Sequence, residues 1–426
     1  MYRPRSGNDD DADPDGRTAA TGARTPTAPA AGRDPPLATR AFFEVIVAQL
    51  FFGFAYATFV LLPKLLAVDY GASAREIGAV MATFGVLSLA VSPAIGAIAA
   101  RLGLRRTMAA GDLVLAASAV GFMFMTHAGP YAALLRGLQG IAWALCFGAG
   151  MALCAEVAPP ARLGQALGIF GAASLGMNAV APVVAEPIAA RCGARPVFAL
   201  AAAAALMGAR LCRRLPPDVA APTTSHAENP DAASWSSVRA RLPVFTVLCV
   251  GALAAACMFT FVAPFALTRG VGVVRGFFAA YTVAALASRF ALARFADRTG
   301  HRPVALAGGV GYGIAVIAMG ALGPAHLVLV GALFGLAHGI VFPALMTLIL
   351  TGVSGTQRPR LLGWANGAMN LGIVGVAPLG SIAGALGYPA IFIATGAVTL
   401  TTAAALLAPR RSASCASSTW RPARRR

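Results

Sequence analysis

Gly171-Ala-Ala-Ser-Leu-Gly176-Met-Asn-Ala-Val-Ala-Pro182 returns 196 residues later as Gly367-Ala-Met-Asn-Leu-Gly372-Ile-Val-Gly-Val-Ala-Pro378, with seven of twelve positions identical. A second pair stands at nearly the same spacing: Arg101-Leu-Gly103-Leu-Arg105 and Arg298-Thr-Gly300-His-Arg302 are 197 residues apart. One match in a Gly- and Ala-rich chain could be chance. Two at one offset point to duplication of a large unit.

The residues around these stretches say what the unit is. Of the 426 residues 58% are hydrophobic and only 12% charged, with a mean hydropathy of +0.72. That charged share is about half the share in a soluble domain. A soluble fold of this size could not bury so much apolar surface, so lipid is the expected solvent for much of the chain. Apolar segments follow one another near 43–66, 75–98, 107–126, 130–155, 164–187, 195–211, 243–268, 275–296, 303–322, 325–350, 361–385 and 389–408, the sixth being short. About 20 helical residues span a bilayer core of about 30 Å. Helices are required because lipid offers no partners to backbone groups. The expected fold class is an all-α membrane protein with twelve transmembrane helices in two pseudo-repeated six-helix bundles, 41–211 and 243–408. An offset near 196 is what duplication of a six-helix unit leaves behind.

Outside the bundles the composition changes. Residues 1–40 hold six Arg and six Asp among Pro, Ala and Thr, and read as a disordered cytoplasmic tail. Residues 212–242 form a polar, Pro-containing cytoplasmic linker, and 409–426 a basic cytoplasmic tail. The net charge of +18 does not signal nucleic acid, because the arginines sit in short gaps between apolar runs and at the C-terminus. The gaps that hold Arg101, Arg105, Arg106, Arg213, Arg214, Arg298, Arg302, Arg358 and Arg360 fall on one side of the membrane. By the positive-inside rule that side, with both termini, is cytoplasmic, and the expected location is the inner (plasma) membrane.

The seven cysteines are scattered without a CxxC, so neither a disulfide framework nor a metal site is expected, and no cofactor. The chain carries no G-x-x-x-x-G-K-[ST] loop and no H-E-x-x-H, so it reads neither as an ATP-driven pump nor as an enzyme.

Gly96-Ala-Ile-Ala-Ala-Arg101-Leu-Gly103-Leu-Arg105-Arg106 resembles the loop signature of the major facilitator superfamily, with Ala100 in the place of its Asp. The second copy keeps Asp297 before Arg298, Gly300 and Arg302, but lacks the opening Gly and the last Arg. Arg136-Gly-Leu-Gln139-Gly140 resembles the fourth-helix signature R-x-x-Q-G. Pro159 to Gly168 resembles the next loop of sugar- and drug-efflux branches. Gly176 to Pro182 is a degenerate form of the fifth-helix antiporter signature. The resemblance covers 41–408 and implies alternating-access transport, with the cavity lined by segments one, four, seven and ten.

On that basis the cavity candidates are the polar-aromatic helical faces. Gln49, Phe52 and Tyr56 share one; Arg136, Gln139, Trp143 and Phe147 another; Phe334, His338 and Phe342 a third. Asn366 and Asn370 read either as cavity donors or as interhelical glue. An arginine roughly 9 Å into a membrane helix, as Arg136 is, is costly unless it faces partners or water. His338 reads as a proton carrier or, equally, as a histidine hydrogen-bonded within the bundle. The loop arginines are expected to bind carboxylates or helix C-termini, with Glu156 or Asp112 as first-half partner and Asp297 as second. Pro182 and Pro378, with Gly176 and Gly372, are expected to kink matching helices. Glu44 and Lys64 read as interfacial residues, the one beside Arg40 and the other snorkelling; the alternative is that Glu44 reaches the cavity and carries a proton.

The implied function is secondary active transport of a small organic molecule, as proton-coupled efflux, by a monomer in the lipid bilayer. The alternative is proton-coupled uptake of a metabolite such as a sugar or organic acid. A non-transporting membrane receptor or scaffold is the distant third reading.

Overall fold

A computed structural model describes residues 37, 39–215, 238–353 and 357–407, without the side chains of 160, 292–297 and 359. Most of the expected N-terminal tail, the middle of the linker and the basic tail lie outside the described residues. Among those residues all regular structure is helical and forms twelve rods. They are α1 (Arg40–Tyr70), α2 (Ala74–Leu102), α3 (Leu104–Met123), α4 (Pro130–Val157), α5 (Leu163–Cys192), α6 (Ala194–Cys212), α7 (Leu242–Thr268), α8 (Arg275–Thr299), α9 (His301–Leu322), α10 (Leu327–Leu350), α11 (Arg358–Val374, continuing as Val376–Leu386) and α12 (Tyr388–Ala404). Ten of the rods are long and apolar enough to cross a membrane; the other two are α3 and α8. The short sixth segment fills out to a 19-residue helix.

The joints are set by residue chemistry. Between α2 and α3 the chain turns at Gly103 with φ +83°, and between α8 and α9 at Gly300 with φ +90°, a region only glycine enters without strain. Beside each turn an arginine caps the last helix of its own half. Arg105 donates to the carbonyl of Leu215 just past α6 at 3.1 Å, and Arg302 to that of Leu406 just past α12 at 2.6 Å. Helix C-termini leave carbonyls without intrahelical partners, and a cation satisfies both their hydrogen-bonding capacity and their partial negative charge. The expectation that these arginines hold helix ends therefore describes the same arrangement in both halves.

The packing repeats as well. Within the first bundle α1 lies on α5 and α6, α2 on α4, and α3 on α4 and α6. Within the second, α7 lies on α11 and α12, α8 on α10, and α9 on α10 and α12. Glycine makes the close crossings in both. A Cβ on Gly140 of α4 would collide with the Phe84 carbonyl of α2, and one on Gly335 of α10 would collide in the same way with that of Tyr281 of α8. Small residues let membrane helices approach backbone to backbone, where dispersion rather than the hydrophobic effect drives packing.

The bundles meet chiefly through α2 with α11 and α5 with α8, and α7 also touches α1 and α2. We call the end of the bundles that carries Arg105 and Arg302 the basic end, and the other the Lys64 end. At the Lys64 end α2 and α11 touch through their backbones, since a Cβ on Gly78 would lie 2.9 Å from Gly380 Cα and 2.7 Å from the Val376 carbonyl oxygen. Toward the basic end Asn366 of α11 still donates to Ser92 of α2 at 2.8 Å. Beyond it the Cβ positions of Gly96 and Gly363 have no neighbour within 4 Å, and neither do those of Gly164 and Gly168 on α5. The seam is tight at the Lys64 end, and the four glycines nearer the basic end have open space around them.

Candidate transport site between the two halves

A cluster of polar contacts crosses the seam at the Lys64 end. Glu186, near the end of α5 and 2% exposed, accepts from the Lys64 ammonium of α1 at 2.5 Å. The same carboxylate takes the backbone N–H of Val274 at 2.9 Å and of Arg275 at 3.0 Å, at the start of α8. Lys64 also donates to the Gly272 carbonyl of the second half. The geometry is that of an acid at a helix N-terminus, where unpaired N–H groups and the helix dipole favour negative charge. One carboxylate thus ties α1, α5 and α8 together across the bundles.

Sequence reasoning missed Glu186, which looks like the polar end of an apolar segment. It also took Lys64 for a snorkelling residue. The structure corrects that: the ammonium points inward to Glu186, whose buried charge it offsets together with the Arg275 guanidinium at 3.6 Å. Glu44 does pair with Arg40, at 2.9 Å one turn away.

About 14–18 Å from the basic end, by helical rise, the halves face each other with a second polar group. Gln49 of α1 donates to Ser174 Oγ of α5, while its Oε1 is buried without a protein partner. Opposite, Arg289 of α8 leans on α5, its terminal nitrogen 3.8 Å from where a Cβ on Gly171 would stand. Its Nε is buried and has no protein partner. His338 of α10 lies at the same depth, with Nδ1 2.8 Å from the Tyr312 hydroxyl of α9. The ring of Phe342 is 4.6 Å from that of His338, and that of Tyr281 is 5.5 Å from it. On the first half Trp143, Phe147 and Phe170 make a matching aromatic wall, with centroids 4.7 and 5.6 Å apart. This mid-membrane tier joins Gln49 and His338, two of the sequence candidates, to Ser174, Arg289, Tyr281 and Tyr312, which were missed.

Arg136 belongs to a tier nearer the Lys64 end. It is 7% exposed, donates to Gln139 Oε1, and lies 4.9 Å from the Phe84 ring centroid and 6.0 Å from that of Tyr56. Tyr56 in turn stands 4.5 Å from Trp143. Arg136 takes part in no ion pair among the described residues, and its Nε and Gln139 Nε2 have no protein partner. Aromatic faces offer a buried guanidinium partial compensation through their quadrupoles.

The remaining candidates fall elsewhere. Asn370 bonds back to Asn366 along α11, at 3.0 Å to its carbonyl oxygen, so with the Ser92 contact the pair lies on the seam. Arg101, Arg106 and Arg298 are exposed at the basic end, as is Glu156. The Asp297 side chain lies outside the described residues. Asp112 is fully buried and turned to α6, 3.6 Å from Cys212 Sγ, so it holds no loop arginine. The expected kinks differ between halves. Helix α5 runs unbroken through Pro182, whereas α11 is interrupted at Gly375, before Pro378. Gly372 crowds the Cys249 carbonyl of α7, and Gly176 has open space around it.

The sequence matches the family described as Major Facilitator Superfamily over residues 45–289 and again over 271–422. Among solved structures, a mutant of the nucleoside transporter NupG superposes with a TM-score of 0.72 at 13% identity, covering 86% of this chain and 99% of that one. A POT family transporter in complex with a thioalcohol-conjugated peptide gives 0.75 at 12% identity, covering 86% and 95%. A mutant of the peptide transporter POT in complex with alafosfalin gives 0.72 at 16% identity, covering 86% and 93%. No curated protein sequence matches the chain. At such identities the structural likeness speaks for the fold, and the sequence match for the lineage. With duplicated six-helix halves, the loop and fourth-helix motifs, and a family match that runs through both halves, the chain belongs to the Major Facilitator Superfamily.

Proposed function

We propose that this transporter moves a small organic molecule by alternating access, as a proton-coupled exporter acting as a single chain in the plasma membrane. The basic end is the cytoplasmic one in this reading, because the loop arginines gather there. The observation that carries it is the asymmetry of the seam. Glu186 on the start of α8 and the Gly78–Gly380 contact close the Lys64 end, while Gly96, Gly164, Gly168 and Gly363 toward the basic end have open space around them. That is how an inward-facing state of two rocking halves would look. Opening the other way requires Glu186 to release the start of α8 and Lys64 to release the Gly272 carbonyl, so contacts made at the basic end or to the substrate must offset that loss. Export is supported by the fifth-helix residues Gly176 to Pro182, which resemble an antiporter signature.

Proteoliposomes carrying an imposed pH gradient test this, with a library of small metabolites and drugs added and luminal pH followed by a trapped dye. Proton movement opposite to that of a compound supports exchange. Movement in the same direction makes the protein an uptake symporter, and compound flux indifferent to the gradient overturns proton coupling.

A further inference from the structure

Arg289 lies about 21 Å along α8 from Arg275 and about 15 Å from Thr299, deep within the hydrocarbon zone. A guanidinium there is expensive and ordinarily pairs with a carboxylate or faces water. Among the described residues no carboxylate pairs with Arg289. Its Nε is buried and unbonded, and its terminal nitrogens reach the seam at Gly171. The buried carboxylate Asp112 cannot compensate it, being packed between α3 and α6 against Gly208 and Cys212. Arg136, within the first bundle, is a second buried cation without an ion pair among the described residues. The seam therefore holds at Arg289 a positive charge that no carboxylate among the described residues neutralises.

We propose that the transported molecule is an organic anion, a carboxylate, phosphate or sulfonate on an apolar body, whose anionic group is bound by Arg289 at the seam. A planar guanidinium presents paired donors that match such groups, and the pairing is strong where water is excluded. The proposal rests on the seam being the transport path.

The test places a thiol beside the guanidinium. Gly171→Cys leaves ordinary van der Waals room, its Cβ 3.8 Å from Arg289. The seven native cysteines are replaced, and the full chain is reconstituted in phosphatidylcholine vesicles, which carry no net lipid charge. Two methanethiosulfonate reagents of similar size, one sulfonate and one trimethylammonium, are compared by their rates at the introduced thiol relative to a free thiol in solution. The anionic reagent is expected to be favoured on the order of tenfold. Arg289→Gln should remove the bias and Arg289→Lys keep most of it. Added 3-phenylpropionate should slow the reaction, and its neutral amide should not. A bias that survives Arg289→Gln, or equal protection by acid and amide, overturns the anion assignment while leaving the path intact. If neither reagent reaches the introduced thiol, the path itself is wrong and the proposal falls with it.

Discussion

Gly78 and Gly380 meet backbone to backbone across the seam, so close that a Cβ on either would fall within 3.0 Å of the other's Cα. Nothing larger than hydrogen fits between α2 and α11 at that level. Gly78→Val should therefore prevent the Lys64 end from closing rather than unfold the protein, because the halves can part there by rocking. Overpacking costs of about 1–3 kcal/mol shift such an equilibrium by roughly 5- to 150-fold. Spin labels at the Lys64 ends of α2 and α11 should report a longer mean distance in Gly78→Val; an unchanged distance would show that the glycine contact does not govern closure.

The Glu186 tie should behave as a coupled pair. Removing one partner of a buried ion pair leaves the other charge stranded, at a cost of about 3 kcal/mol. Lys64→Met and Glu186→Gln should each lower thermal stability clearly. The double variant Lys64→Met with Glu186→Gln should lose much less than the sum, since both charges are gone. Strict additivity in the double-mutant cycle would mean that the two residues do not act together.

Gly140 and Gly335 make equivalent crossings inside the bundles, where no rocking can relieve a clash. Gly140→Val and Gly335→Val should abolish folded protein, as seen by size-exclusion of detergent extracts. Gly363→Ala, with open space around its Cβ position, should be recovered at wild-type level. Recovery of Gly140→Val as folded protein would contradict the close approach of its backbone to Phe84.

Arg105 and Arg302 hold the last carbonyls of their halves, so Arg105→Ala and Arg302→Ala should each destabilise by about 1.5–3 kcal/mol, the range of charge-assisted hydrogen bonds. Thermal unfolding in detergent should show similar losses for both. A loss in only one would break the functional equivalence of the two repeats at this point.

Much of this architecture was legible before any coordinates. The offset between Gly171 and Gly367 announced the duplication, and apolar lengths located all twelve helices to within a few residues. Such signals are local and repeat along the chain. The site was only half legible. Arg136, Gln139 and Trp143 share a helical face, so spacing alone groups them. Glu186 finds its partners in Lys64 and Val274, 122 and 88 residues away, and no local pattern foretells that. Arg289 stands two turns before the loop motif at Asp297, where it reads as part of the basic gap. Its depth along α8 and its missing carboxylate become apparent only when the helices are assembled.

The most direct test asks whether one position is reachable from both sides of the membrane, but never at once. Ser174→Cys in a cysteine-free background, in vesicles of known orientation, is labelled with a membrane-impermeant maleimide from each side separately. The account predicts labelling from the basic side when Glu186 is intact, and a gain of labelling from the Lys64 side with matching loss from the basic side in Glu186→Gln. Equal labelling from both sides irrespective of Glu186, or from neither, would contradict alternating access through this seam.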